Sequence, residues 1–241
     1  RINGAKEFIT NSGTDITSLV TVTAVTGTVE GRTGHDGRPA KEISTILVPA
    51  GTEGFSVAKA YDKVGWNSSD THALHFSDVR VPEENLLGAR GRGFAHFLEI
   101  LDEGRIAIAA LATGAAQGCV DESVAYAKQR TSFGQKIGQF QAVSFKIARM
   151  QARAHAARLA YYEAAQKMLA GKPFKTEAAM AKLIAGEAAM DNARDATQVF
   201  GGYGFMNETL VARHYRDSKI LEVGEGTTEV QLMLIARELG L

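Results

Sequence analysis

Five short segments carry residue types able to do chemistry. Glu225-Gly226-Thr227-Thr228 puts a carboxylate beside a glycine where a helical pattern begins. Held in a cleft, that carboxylate is a candidate general base, and the glycine lets a ligand come close. The ordinary structural explanation is a helix start whose acidic and hydroxyl residues satisfy free N–H groups. Arg130-Thr131-Ser132-Phe133-Gly134 lies between two long helical patterns. Its arginine and two hydroxyls could hold a phosphate, or Arg and Gly could simply end a helix. Gln198-Val199-Phe200-Gly201-Gly202 is either a helix stop or a close backbone approach to a ligand. Asp102-Glu103-Gly104-Arg105 puts a glycine inside a helix, at a cost of about 1 kcal/mol relative to Ala, and an arginine among apolar positions. Arg213-His214-Tyr215-Arg216-Asp217 reads as a solvated or ion-paired face without catalysis.

The elements that must position these residues fall into two halves. Residues 1–88 turn often and are rich in β-branched residues, notably over Thr17–Val29. Ile43–Val48, Thr71–Phe76 and Val79–Val81 are further short strand candidates, separated by the glycine-rich turns Gly31–Gly37 and Gly51–Gly54. Asn3-Gly4 is a hairpin turn signal with no strand before it, so the chain reads as opening inside a domain. Near Gly88 the period changes from two to 3.6. Phe94, Phe97, Leu101, Ile108, Leu111, Ala115 and Cys119 mark one helix. Phe140, Val143, Ile147, Met150, Ala154, Ala157, Tyr161, Ala164 and Met168 mark a second. Neither Gly nor Pro interrupts Gln139–Ala170, which predicts a helix of about 48 Å. Gly171-Lys172-Pro173 ends it, Thr176 is a candidate cap for a third helix to Phe200, and shorter helices follow near Glu208–Lys219 and Thr227–Leu239. The reading is α+β: a partial antiparallel β-domain over 1–88, then an antiparallel, four-helix-type bundle over 89–241.

Composition narrows the function classes. The 241 residues carry 27 basic and 27 acidic side chains, for zero formal net charge, so nothing draws the chain toward nucleic acid or an anionic membrane. The single cysteine, Cys119, leaves no internal disulfide and disfavours a structural zinc; no metal is expected. No stretch approaches the roughly 20 apolar residues of a membrane span, and no signal-peptide pattern opens the chain. A soluble protein of the cytoplasm is the expectation.

The order and spacing of these segments resemble the acyl-CoA dehydrogenase family over the whole chain. The resemblance runs from Phe8-Ile9-Thr10-Asn11, similar to the family's Trp-Ile-Thr-Asn strand, through Arg130–Gly134 and Phe140-Gln141 to Gln198–Gly202, and ends at Glu225-Gly226-Thr227. It implies FAD as cofactor, acyl-CoA as substrate, 2-enoyl-CoA as product, electron-transfer flavoprotein as acceptor and a homo-oligomer, dimer or tetramer. It places Phe8, Ile9 and Thr10 against the flavin ring. Arg130, Thr131, Ser132, Phe140 and Gln141 would hold the FAD of an adjacent subunit, and Gln198, Val199, Phe200, Gly201 and Gly202 would form another cofactor contact. Thr227, Thr228 and Glu229 would meet FAD just after the base, while Asp102, Arg105 and Gly226 would line the substrate channel. Glu225 would be the base. Some members carry the base on the first long helix, where this chain has Gly104, which cannot serve. Two positions depart from the family pattern: Phe8 stands where Trp is common, and Gly224 where Tyr is common. An acyl-CoA oxidase or another flavoenzyme on the same fold, and a non-catalytic assembly module, are the alternatives.

The implied reaction explains why these groups are needed. Removing an α-proton from a thioester asks much of a carboxylate whose ordinary pKa is about 4.3, so burial should raise it. The developing enolate needs donors at the thioester oxygen. The Glu225 amide, taken as part of a helix N-terminus, is one candidate. The resemblance implies a ribityl hydroxyl of FAD as the second.

Overall fold

The computed structural model describes residues 1–34 and 36–241; His35, inside the expected Gly31–Gly37 turn, lies outside the described residues. Contacts divide the chain into two compact units, Arg1–Ile100 and Leu101–Leu241.

The first unit holds two three-stranded antiparallel sheets. In one, β1 (Ile2–Thr10) pairs with β5 (Thr71–Val79), whose other edge takes β4 (Phe55–Val57). In the other, β2 (Leu19–Thr33) pairs with β3 (Pro39–Pro49), which also takes β6 (Leu86–Leu87). Alternation along β2 turns Val20 and Val22 inward. They meet Ile2, Val48, Leu74, Phe76 and Val79 in one core. Each such side chain contributes roughly 1.5–3 kcal/mol when fully buried, enough together to hold two small sheets in place.

Two expectations fail here. Asn3-Gly4 is not a turn but lies inside β1, at a break in register between Ile2 and Gly4. The Asn3 side chain explains why: it donates to the Asp78 carboxylate at 3.0 Å and accepts from the Asp78 amide at 2.7 Å, fastening β1 to β5. Thr71–Phe76 and Val79–Val81 are also not separate strands, since β5 runs unbroken to Val79.

The second unit is helical. Helix α1 (Gly93–Gln129) enters it, followed by a small hairpin of β7 (Thr131–Ser132) and β8 (Gln135–Lys136). Phe133 and Gly134 form the hairpin tip at φ 49° and 79°, the left-handed pair a two-residue hairpin requires. Next come α2 (Gln141–Leu169), α3 (Lys175–Phe200), α4 (Leu210–Ser218), α5 (Ile220–Val223) and α6 (Thr228–Glu238). Helix α2 is continuous over 29 residues, about 43 Å. The cap expected at Thr176 is instead Phe174, which makes no side-chain cap bond, and Thr176 is already helical.

Small residues let these helices approach closely. Ala109, Ala112, Ala116, Ala154, Ala157, Ala185, Ala189, Ala193 and Ala196 have no exposed surface. The apolar stripe read on α1 is displaced as a result. Phe94, Phe97 and Leu111 are exposed, and Ile106, Ala109, Ala112, Ala116, Cys119 and Val120 form the buried face. Asn192 joins three helices: its buried amide donates to Ala116 of α1 at 3.1 Å and to Met150 of α2 at 2.9 Å.

Candidate active site

Glu225 sits in the turn between α5 and α6, two residues before the helix cap Thr227, whose hydroxyl accepts from Val230 N–H at 3.4 Å. Its amide is therefore not part of the α6 terminus, contrary to the sequence reading. Glu225 has φ 55° and Gly226 φ 94°. A left-handed glutamate costs energy, and such residues persist only where the surroundings enforce them. Gly226 is favoured by its φ, and a Cβ there would stand 2.7 Å from the Gln231 amide nitrogen, so the Gln231 side chain would have to shift.

The carboxylate of Glu225 lies against α1. A Cβ on Gly104 would be 3.1 Å from Glu225 Oε2. This supplies the reason for a mid-helix glycine there. Arg105, the next residue, is 5% exposed and ion-paired with Asp102 one turn back, while its Nε has no partner among the described residues. The turn is further held by Lys182 of α3, which donates to the carbonyls of Glu222 at 3.0 Å and Gly226 at 2.7 Å. Burial pushes the Lys182 pKa down to about 8; Glu222 opposes this, Arg105 adds to it, and Glu225 and Glu229 oppose it more weakly. Glu229 is held below its ordinary value by its own amide and the Thr227 hydroxyl. Thr228 begins α6. Glu225 itself is exposed, so the expected burial of the carboxylate does not come from the chain around it.

A second group of residues lines a cavity of about 510 Å³: Tyr126, Arg130, Ser132, Phe200, Gly201 and Tyr203 among them. Tyr126 stacks on Phe200 with centroids 4.1 Å apart, and the Arg130 guanidinium stands 5.9 Å from the Tyr203 ring. Gly201 has φ 60°, and Cβ atoms on Gly201 and Gly202 would meet only open space. Val199 and Gly202 also line the cavity; Thr131, Phe140, Gln141 and Gln198 do not. Phe140 instead meets Phe133 edge-on at 6.3 Å. Gln141 begins α2, and Gln198 is exposed near the end of α3.

In the first unit, Phe8 and Ile9 lie where the β1–β5 register breaks between Lys6 and Ile9, and Thr10 pairs with Thr71. Phe8 has φ 59°, is 74% exposed and packs on Tyr61 with centroids 5.4 Å apart. A bulge of this kind re-aims a side chain away from the sheet.

Residues 1–79 match the acyl-CoA dehydrogenase middle domain, and residues 91–240 match the acyl-CoA dehydrogenase C-terminal domain. The chain belongs to the acyl-CoA dehydrogenase family. It is 47% identical over 238 residues to a probable acyl-CoA dehydrogenase of Bacillus subtilis (strain 168), covering 99% of this chain and 60% of that protein. It is 44% identical over 233 residues to a short-chain specific acyl-CoA dehydrogenase of Megasphaera elsdenii, covering 97% and 58%. The solved structure of butyryl-CoA dehydrogenase from Megasphaera elsdenii matches with a TM-score of 0.90 at 44% identity, over 99% of this chain and 60% of that one. The chain thus spans about three fifths of the length of the relatives it matches.

Within this chain, the sequence pattern did not single out Lys182, Gln231, Tyr126 and Tyr203 as functional. The first could have been found. Lys182 is a charged residue inside the buried stripe Ala178, Ala179, Ala181, Ala185 and Ala189 of α3, the same anomaly that singled out Arg105 on α1. Gln231 carries no such signal, because a polar residue near the start of a short helix is ordinary. The Arg213–Asp217 stretch is the surface face expected, with Arg213 3.9 Å from Asp217, except that His214 packs inward beside Gly118. Burial lowers the His214 pKa.

Proposed function

We propose that this chain carries the base and part of the cofactor site of an FAD-dependent acyl-CoA dehydrogenase that converts an acyl-CoA thioester to its 2-enoyl product. The observation that carries the reading is the placement of Glu225: a carboxylate on a left-handed turn, directed at a glycine of the facing helix, with buried Lys182 fixing the turn. The missing side chain at Gly104 makes room for the carboxylate against α1. Glu225 takes the α-proton onto a carboxylate oxygen. A thioester seated over it would supply the burial that the chain alone does not.

The cavity fits FAD in its donor set. The Arg130 guanidinium and Ser132 hydroxyl can bind a pyrophosphate, the bare backbone at Gly201 and Gly202 admits close approach, and Tyr126, Phe200 and Tyr203 offer flat apolar surface for an aromatic ring. Phe8, exposed and aromatic on its bulge, is a candidate surface for the flavin ring. When bound, FAD supplies the hydride acceptor. Asp102 orients Arg105, so that both can shape the substrate channel. Electron-transferring flavoprotein is the proposed acceptor. Butyryl-CoA is the first substrate to test, since relatives are named short-chain specific.

The test is Glu225→Gln in the FAD-loaded holoenzyme. The amide keeps the shape of the side chain but cannot take the proton. Acyl-CoA should still bind, while anaerobic bleaching of the flavin slows by at least ~10²–10⁴-fold. Bleaching within about tenfold of the parent rate on its best substrate would remove Glu225 as the base.

A further inference from the structure

Two carbonyls bracket Glu225 in sequence, those of Glu222 and Gly226, and one buried ammonium binds both. Lys182 is 1% exposed. Its Nζ lies 3.0 Å from the Glu222 oxygen and 2.7 Å from the Gly226 oxygen. Burying a lysine is costly unless its charge and donors are matched, so an ordinary packing role would be filled better by an apolar residue. Its reach depends on Gly186, one turn further along α3, where a Cβ would stand 2.7 Å from the Leu221 carbonyl oxygen. That gap brings α5, and the turn after it, down onto the helix face that carries Lys182. Gln231 of α6 donates to the same Gly226 carbonyl at 2.9 Å. The turn is thus held by a donor from α3 and another from α6, which is what two successive left-handed residues require.

The charges facing the ammonium come from every element around it: Arg105 from α1, Glu222 from α5, Glu225 from the turn and Glu229 from α6. Asp102 neutralises part of the Arg105 charge.

We propose that Lys182 is the positioning residue of this site: it locks the Glu225 turn in its left-handed form over Gly104. This rests on Glu225 being the base and goes beyond it by naming what aims that base. A misplacement of about 1 Å at a reacting group can cost on the order of 10²-fold in rate.

The test uses the FAD-loaded holoenzyme with butyryl-CoA. Lys182→Met keeps the stem and removes the ammonium. It should lower kcat by about 10–10²-fold with substrate affinity changed by less than about threefold. Lys182→Arg, which keeps a charge and several donors, should recover part of the lost kcat. Should Lys182→Met fail to fold, Gly186→Ala carries the test: it displaces the turn while leaving the ammonium, so kcat should fall while substrate affinity holds. Parental kcat in Lys182→Met, or in Gly186→Ala, overturns the proposal. So does a kcat loss in Lys182→Met with an equal loss of substrate affinity, or one that Lys182→Arg does not reduce, which would mark a structural residue only. Glu225→Gln separates the two readings. If that variant stays active, the base assignment fails first. If it is dead while Lys182→Met is parental, only the positioning role is lost.

Discussion

Several charged side chains in the helical unit are ion-paired between helices, and Asp195 shows how much one of them can matter. It accepts from Arg153 at 2.7 Å and from Lys146 at 3.2 Å, bridging α3 to α2. Burial raises its pKa, but hydrogen bonds from Arg153 and then Lys146, with their charges, outweigh this and hold it below its ordinary value of 3.8. A depressed carboxylate pKa means the unfolded chain binds more protons in the acid range. Its contribution is therefore complete above the ordinary value and is lost as pH falls through the folded one. Asp195→Asn should cost about 1.5–3 kcal/mol at pH 7, and the gap between variant and parent should narrow toward pH 3. Urea unfolding of both proteins at the two pH values checks this; a gap that widens in acid contradicts it. The same scale shows where sequence reading reaches its limit. Arg105 stood out as a charge among apolar positions, and Glu225 as a carboxylate beside a glycine. The contact that relates them to the site, Glu225 against Gly104, joins positions 121 apart in sequence, so no local pattern could reveal it.

Elements were legible where one force dominated. Helix α2 emerged nearly whole because its apolar period is unbroken and no Gly or Pro intervenes. The stops at Gly171 and Gly201 hold because φ of 63° and 60° suits glycine. The buried face of α1 was misjudged because large aromatics were weighed above alanines. In a tightly packed bundle the alanines are the contact, and Phe94 and Phe97 are left outside. Asn3-Gly4 was misread because its turn propensity is local, whereas the Asn3–Asp78 pair that holds it in a strand is not. Close alanine packing also makes the few polar links between helices important. Asn192 is fully buried, and its amide serves α1 and α2 at once. Asn192→Ala removes both bonds, together with the one its oxygen accepts from Arg153 at 3.2 Å, and opens a small cavity, at an expected cost of about 1–3 kcal/mol. A urea midpoint within error of the parent would show that the alanine seams suffice without it.

The chain exposes more surface than its mass explains. Scaling for monomeric domains gives roughly 5,500 Å² for a unit of the first size and roughly 7,100 Å² for one of the second. Together that is about 12,600 Å² even with nothing buried between them. The chain has 14705 Å². The excess is accompanied by large apolar side chains that are not covered: Phe133 is 95% exposed at its hairpin tip, Phe205 87% and Leu169 82%. Where such side chains gather in one patch, a partner surface is the usual cover. The helical unit is therefore expected to associate with a second copy, in keeping with a homo-oligomer, dimer or tetramer. Phe133 is the residue to test, because a hairpin tip can be changed without touching a core. Light scattering of the chain at micromolar concentration should give a multiple of 25.8 kDa. Phe133→Asp should shift the mass toward one copy while the melting transition of the helices stays in place, because the side chain is almost wholly in solvent within one chain. A parent chain that scatters as a monomer, or a Phe133→Asp variant that assembles with unchanged affinity, would place the covering surface elsewhere.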